Sequence, residues 1–223
     1  MYIRPTYISM TDQLGVLPAT SAKIFIIMSP IHVKEPKPLK VICTDDIIKK
    51  YPESFGHLNL PSNLGPILEQ MKKAREMGYD DILFLSNDNI TELSEMNVFV
   101  YLENKNGARE LVTPVLDGTV LPGITRDSVI KLSKELGVDV SQRHISVKEV
   151  TDAIKENRVL EVFSASTMNG INSIQEIHYN NQSYKLPGDF SKIKRGQLSQ
   201  IIYENLLKIK VGTEGHPWVT LVE

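Results

Sequence analysis

The 223-residue chain reads as a mixed α and β protein. Three features predict this. Ile24-Phe25-Ile26-Ile27 is a continuous apolar run of the kind found in buried strands. Asn- and Gly-containing turns at 104–107 and 180–182 separate segments with strand character. Apolar residues recur at helical spacing in Val129, Leu132 and Leu136, and again between Ser191 and Ile209.

Tyr2 to Ile8 and Lys23 to Met28 are expected to be strands joined by a loop holding Gly15 and Pro18. Two strands alone are marginal in water, so this piece is expected to pair with something else. His32 to Lys40, with Pro36 and Pro38 among lysines, reads as an exposed linker. Val41 to Cys43 opens a second sheet. Pro66 to Met77 is a helix with Pro66 near its first turn, Ile67, Met71 and Ala74 on one face and Gly78 at its end. Ile82 to Leu85 is a strand, and Asn97 to Leu102 pairs with Glu110 to Val115 across Asn104 to Gly107. After the Pro122-Gly123 bend, Thr125 is the expected N-cap of a helix running from Arg126 or Asp127 to Gly137. Ser146-Val-Lys-Glu149 forms a capping box for a further helix. Val159 to Phe163 is a strand, and Ser173 to Tyr179 forms a hairpin with Ser183 to Leu186 over Asn180-Asn181-Gln182. An amphipathic helix over Ser191 to about Ile209 precedes a last strand, Trp218 to Val222.

With 41% apolar and 23% charged residues, the composition is that of a soluble globular protein. The 25 basic and 27 acidic residues, net charge −2, supply no concentrated basic face, so nucleic acid is not an expected partner. Cys43 stands alone, which excludes an intramolecular disulfide and a thiolate cluster. It reads as a buried strand thiol in a reducing compartment. No apolar run approaches the ~20 residues of a membrane-spanning helix. The N-terminus reads as neither a secretory leader nor an Arg/Ser-rich presequence, so the expected location is the cytosol, or the mitochondrion through a cryptic signal. His32, His57, His144, His178 and His216 lack metal-ligand spacing, and neither a Gly-x-Ser-x-Gly elbow nor a Gly-rich P-loop occurs.

The stretch Leu111 to Arg126, with turn dipeptides at Thr113-Pro114 and Asp117-Gly118, carries a strand into a helix. The free amides at such a helix start, here around Ile124 and Thr125, can hold a phosphate, although most helix starts bind no anion. The order strand, Thr-Pro, Gly turn and Leu121-Pro-Gly-Ile-Thr-Arg126 resembles the branched-chain amino acid aminotransferases, pyridoxal-phosphate enzymes of fold type IV. Met96-Asn97 fits the same family, and the resemblance runs from Tyr2 to Trp218-Val219. It implies the large C-terminal domain of the D-amino-acid/branched-chain aminotransferase-like fold in residues 41–223. It also implies a two-strand remnant of the small N-terminal domain in 1–31 and a linker in 32–40.

The resemblance also implies a cofactor site. Glu92 stands where the family's acid protonates the pyridine nitrogen, with Glu95 where a Thr is usual. Ile124, Thr125 and Thr167 would cradle the phosphate. Phe163-Ser164-Ala165-Ser166-Thr167-Met168 carries two serines in place of glycines and bulky Met168 in place of a small residue at the turn that receives the substrate carboxylate. Tyr2 and Arg4 match the substrate side-chain pocket, and Asn169 to Asn172 replaces a Cys-x-x-Cys found in some relatives. The decisive position is 59. The gapless match to Lys-x-Gly-Gly-Asn-Tyr-Gly is Asn59-Leu-Pro-Ser-Asn63-Leu64-Gly65, so asparagine replaces the Schiff-base lysine and Leu64 replaces a tyrosine. An amide neither condenses with an aldehyde nor accepts a proton near neutral pH. Lys49, Lys50, Lys72 and Lys73 read as solvated surface charges.

The resulting expectation is a noncatalytic aminotransferase-like protein kept as a structural subunit of a larger assembly. Protein partners, or a second copy, would cover the N-terminal strands, and no cofactor would be held, or pyridoxal phosphate if a site survives. The alternatives are a branched-chain transaminase completed by a second chain and a sensor holding the cofactor noncovalently.

Overall fold

β1 (Tyr2–Met10) and β2 (Ser21–Ser29) run antiparallel, in register from Tyr2 opposite Ser29 to Met10 opposite Ser21. They make a two-stranded sheet. The computed structural model describes residues 1–31, 36–47, 49–50, 55–213 and 215–220, and the chain divides into two units, Met1–Glu35 and Pro36–Glu223. In the first unit the apolar run lies open. Ile24, Ile26 and Met28 are 69%, 62% and 62% exposed, which overturns the buried strand that the sequence predicts. The cause is topological, since a ribbon of two strands has no second layer to bury either face.

Residues 32–35 of the expected linker lie outside the described residues, and its last two residues, Leu39 and Lys40, begin β3 (Leu39–Thr44). A short 3-10 turn at Gly65–Ile67 then leads into α1 (Leu68–Glu76), followed by β4 (Asp81–Ser86) and β5 (Asn89–Ile90). β6 (Asn97–Glu103) and β7 (Arg109–Thr113) form the predicted antiparallel hairpin. α2 (Ile124–Glu135), β8 (Val140–Gln142) and α3 (Val147–Lys155) come next. β9 (Val159–Ser166), β10 (Gly170–Tyr179), β11 (Gln182–Lys185) and α4 (Gln197–Val211) complete the described elements. The second unit holds one mixed sheet in the order β5-β4-β3-β10-β9-β6-β7-β8, with β11 on β10. β3 pairs in parallel with both β4 and β10, and β8 pairs in parallel with β7.

Both faces of this sheet are covered, so its strands are apolar on both sides and still obey the period of two. In β6, Val98, Val100 and Leu102 enter a cluster with Val147, Val150 and Ala153 of α3. Phe99 between them joins the opposite cluster with Val129 of α2 and Ile202 of α4, its ring stacked on Phe163 at 5.1 Å. The β10–β11 turn forms as predicted, with Asn180 and Asn181 both at positive φ, a conformation asparagine tolerates better than most residues.

Three other features depart from the sequence reading. α4 begins at Gln197, not Ser191, because the carboxylate of Glu161 accepts the amides of Leu198 at 2.6 Å and Ser199 at 3.0 Å. Gly196 allows this approach, since any side chain there would overlap Glu161. At α3 only half of the capping box forms. The Ser146 hydroxyl accepts the Glu149 amide at 3.0 Å, while the Glu149 carboxylate turns instead to Arg143 at 2.8 Å. The predicted last strand is absent among the described residues. Pro217 and Trp218 lie in a turn, with the Trp218 ring edge-on to His216 at 4.5 Å, and 221–223 lie outside the description.

Glu161 thus serves as a remote cap that couples β9 to the start of α4. Glu161→Ala should lower the urea midpoint by an amount corresponding to about 1–2 kcal/mol, with an unchanged denaturant slope. A variant as stable as the parent would show that the two amides find water as good a partner.

Candidate functional site

The segment after β5 is an extension of the sheet. Thr91 donates its amide and its hydroxyl to the Phe84 carbonyl at 3.0 and 2.9 Å, and the Phe84 amide donates to the Glu92 carbonyl at 3.0 Å. This pairing buries the Glu92 side chain, and Glu92 is only 2% exposed. Its Oε1 accepts Lys49 Nζ at 2.8 Å and Lys50 Nζ at 2.6 Å, and its Oε2 accepts the Leu121 amide at 2.8 Å. Lys49 also donates to the carbonyls of Leu93, at 2.9 Å, and Ser94, and lies 5.6 Å from the centre of the Phe84 ring.

Both lysines, read from the sequence as surface charges, are buried, with side chains 5% exposed. The correction has a physical cause, because a carboxylate this deep needs cations brought to it. Desolvation lowers the pKa of Lys49, with the Glu92 charge opposing that shift. Asp81 is buried nearby, its carboxyl pushed up by desolvation while Oδ1 accepts the amides of Ile82 at 2.7 Å and Ser94 at 3.4 Å. Nothing in the local spacing singles out Lys49 and Lys50 among 25 basic residues, which is why sequence reasoning missed them. Lys72 and Lys73, by contrast, are exposed as expected; Glu95 is exposed too.

Leu121 is held at both ends, because its carbonyl accepts Asn97 Nδ2 at 2.8 Å while its amide reaches Glu92. Gly123 packs so closely on Asn97 that a side chain would overlap Asn97 Oδ1. This closeness also settles the cap of α2. Extended Gly123 is the N-cap, without a side-chain hydrogen bond, and Thr125 lies in the first turn instead of capping it. The amides of Ile124 and Thr125 take no partner among the described residues; the Ile124 side chain is exposed and Thr125 is buried. Arg126 is buried and donates through Nη2 to the Pro114 carbonyl at 2.9 Å and to Gln142 Oε1 at 3.0 Å, tying the helix start to the end of β7.

Ser164 and Ser166 are strand residues of β9, neither at positive φ. The Ser164 hydroxyl meets the Asn172 carbonyl at 3.3 Å and the Met96 sulfur at 3.4 Å, and the Ser166 hydroxyl accepts the Asn169 amide at 3.0 Å. Gly170 takes the left-handed position of the following turn, which carries exposed Thr167 and Met168. Ala165 pairs with Asn97, so that turn leaves the sheet next to the Asn97–Leu121 clamp. Asn59 lies exposed in a loop that Asn63 pins, its Nδ2 donating to the carbonyls of Phe55 at 3.1 Å and Leu58 at 3.0 Å. Leu64 packs against the cluster of Ile67, Ile82 and Phe84.

The structure therefore brings Glu92, Lys49, Lys50, Asn97 and the Leu121–Thr125 turn together, with Thr167 and Met168 on the adjoining hairpin. Tyr2 and Arg4 lie on β1, in the other unit. A cavity of about 90 Å³, lined by Asn89, Thr91, Asp117, Thr119, Val120 and His144 among others, borders this cluster and has room for a few waters. Among the described residues no group of His, Cys, Asp and Glu could hold a metal, and no helix is long and apolar enough to cross a membrane. Burial raises the Cys43 thiol pKa to about 12, leaving it un-ionised near neutral pH.

Comparison with known proteins gives a consistent result. The model of the family Amino-transferase class IV matches residues 1–177. The branched-chain-amino-acid aminotransferase of Dictyostelium discoideum is 36% identical over 228 residues, covering 100% of this chain and 60% of that protein. The mitochondrial enzyme of Schizosaccharomyces pombe is 35% identical, covering 98% of this chain and 53% of its own length. The chain thus spans little more than half the length of these relatives. The solved branched-chain amino acid aminotransferase of Escherichia coli superposes with a TM-score of 0.77 at 25% identity, over 98% of this chain and 67% of that one. A Brucella abortus aminotransferase solved with its cofactor PLP shares the fold with a TM-score of 0.68 at 22% identity, over 92% of this chain and 68% of its own. On the family model, which matches most of the chain, and on the identity to these relatives, the chain belongs to the class IV aminotransferases and is branched-chain-aminotransferase-like.

Proposed function

We propose that this chain is a branched-chain-aminotransferase-like protein that does not catalyse transamination and serves as an interaction subunit of a larger assembly. The observation that carries the reading is the amide at position 59, on a loop whose Asn63 and Gly65 otherwise fit the family's wording. Without an amine there, the covalent step lacks its nucleophile and the proton shift lacks its base. The environment of Glu92 supports the same conclusion. The residues present do not fit a pyridinium ring, because the acid that would face its nitrogen is already bonded to two ammonium groups and a backbone amide.

A second reading, a transaminase completed by another chain, is favoured by the relatives' names and by the two amines beside Glu92. Those amines are donors to a carboxylate and carbonyls, and an ammonium so engaged has no lone pair to offer an aldehyde. Incubation with pyridoxal phosphate followed by borohydride should therefore leave no pyridoxyl group on any buried lysine. Recovery of a peptide modified at Lys49 or Lys50 would favour the second reading. Asn59→Lys alone should give no turnover with leucine and 2-oxoglutarate, since Leu64 and the filled Glu92 remain; measurable turnover would refute this.

The interaction role rests on the first unit, where, among the described residues, β1 and β2 pair only with each other and the apolar run is open. A homodimer or a different protein partner would cover that surface. Relatives with cytosolic and mitochondrial names are consistent with either compartment for this chain. The native protein should elute as an assembly with β1 and β2 protected from hydrogen exchange. A monodisperse monomer with those strands equally protected would argue against a partner.

A further inference from the structure

We infer that Lys49 and Lys50 stand in for a cofactor's ring nitrogen as the cationic partners of Glu92, so that the chain itself closes this acid site and keeps a pyridoxal-type ring out of it. The inference deepens the noncatalytic reading and rests on it only in taking position 59 to supply no amine.

The first argument is capacity. A carboxylate oxygen has two lone-pair directions. Both directions of Glu92 Oε1 are used, by Lys49 Nζ at 2.8 Å and Lys50 Nζ at 2.6 Å, and one of Oε2 is used by the Leu121 amide at 2.8 Å. A ring N–H could bond Oε1 only by displacing an ammonium. The remaining direction of Oε2 is out of solvent, since Glu92 is only 2% exposed, and it lies beside Leu121, which Asn97 holds from its carbonyl side.

The second argument is that neither lysine is free to leave. Lys49 has all three N–H groups committed, to Glu92 and to the Leu93 and Ser94 carbonyls. The stem of Lys50 packs on buried Gly56, where a methyl group would lie 2.8 Å from Lys50 Cβ and overlap the Gly118 carbonyl oxygen. That glycine makes room for the lysine. The third argument is charge. Lys49 and Lys50 are both buried against the one carboxylate of Glu92, and a displaced ammonium left in the interior would be stranded there without a counter-charge.

Pyridoxine 5′-phosphate tests this, because its alcohol cannot form an imine and only noncovalent binding is read. The melting temperature of the full chain should show no saturable rise with this probe at millimolar concentration. A saturable rise, about 5 °C or more for a site filled a hundredfold above its dissociation constant, would overturn the inference. Such a rise without any borohydride-reducible adduct would remove this inference alone and leave the noncatalytic reading standing; an adduct mapped to a buried lysine would remove both. Independently, Lys49→Met with Lys50→Met should lower the melting temperature, and adding Glu92→Gln should restore most of the loss. If the double variant does not fold, the triple variant should. A triple variant that is no more stable than the double, or equally unfolded, would show that the lysines are not the counter-charges of Glu92.

Discussion

A single buried carboxylate holds the site region together. Glu92 reaches it as a continuation of the sheet beside β4, and its two oxygens collect a pair of ammonium groups from one segment and a backbone amide from the turn ahead of α2. Isolated, such a group would cost several kcal/mol to bury. With both oxygens engaged, it ties together the lysine segment, the edge of the sheet and the turn ahead of α2. Asn97 acts on the same turn from the other direction, and Gly123 lets its side chain approach the backbone with no Cβ in the way.

This arrangement changes what the conspicuous motifs mean. Met96-Asn97 and Leu121 to Arg126 grip one another, and Arg126 anchors the helix start to the Pro114 carbonyl. Thr113 adds a hydroxyl bond to the Val98 carbonyl at 2.9 Å. Each of these contacts serves the fold whether or not a ligand is present. Packing and hydrogen bonding are thus sufficient reasons for these residues to stand where they do. Asn59, by contrast, lies on an exposed loop with little packing duty.

Much of the fold was legible in the sequence because its signals are local. The Asn180-Asn181 turn, the β6–β7 hairpin and the start of α3 at Ser146 follow from residue types that favour one backbone shape wherever they occur. What escaped depends on partners distant in sequence. The start of α4 is set by Glu161, some 36 residues upstream, and the cap of α2 by the closeness of Asn97 to Gly123. The burial of Lys49 and Lys50 is set by Glu92, more than 40 residues away, and no pattern of their neighbours announces it. The open apolar face of β2 was misread for a related reason, since the residue pattern says that the strand wants cover but not which chain provides it.

The persistence of Glu92 also follows from these contacts. Replacing it with an apolar residue would leave the partly buried Leu121 amide without an acceptor, a loss of about 1–3 kcal/mol, and would strand two buried ammonium groups at greater cost. The acid is thus required by the fold. Its opposing charge comes from the chain itself, and two consecutive lysines supply it from one segment. The place of this carboxylate is set by what surrounds it, two ammonium groups and a backbone amide, each of which would lose its partner with it.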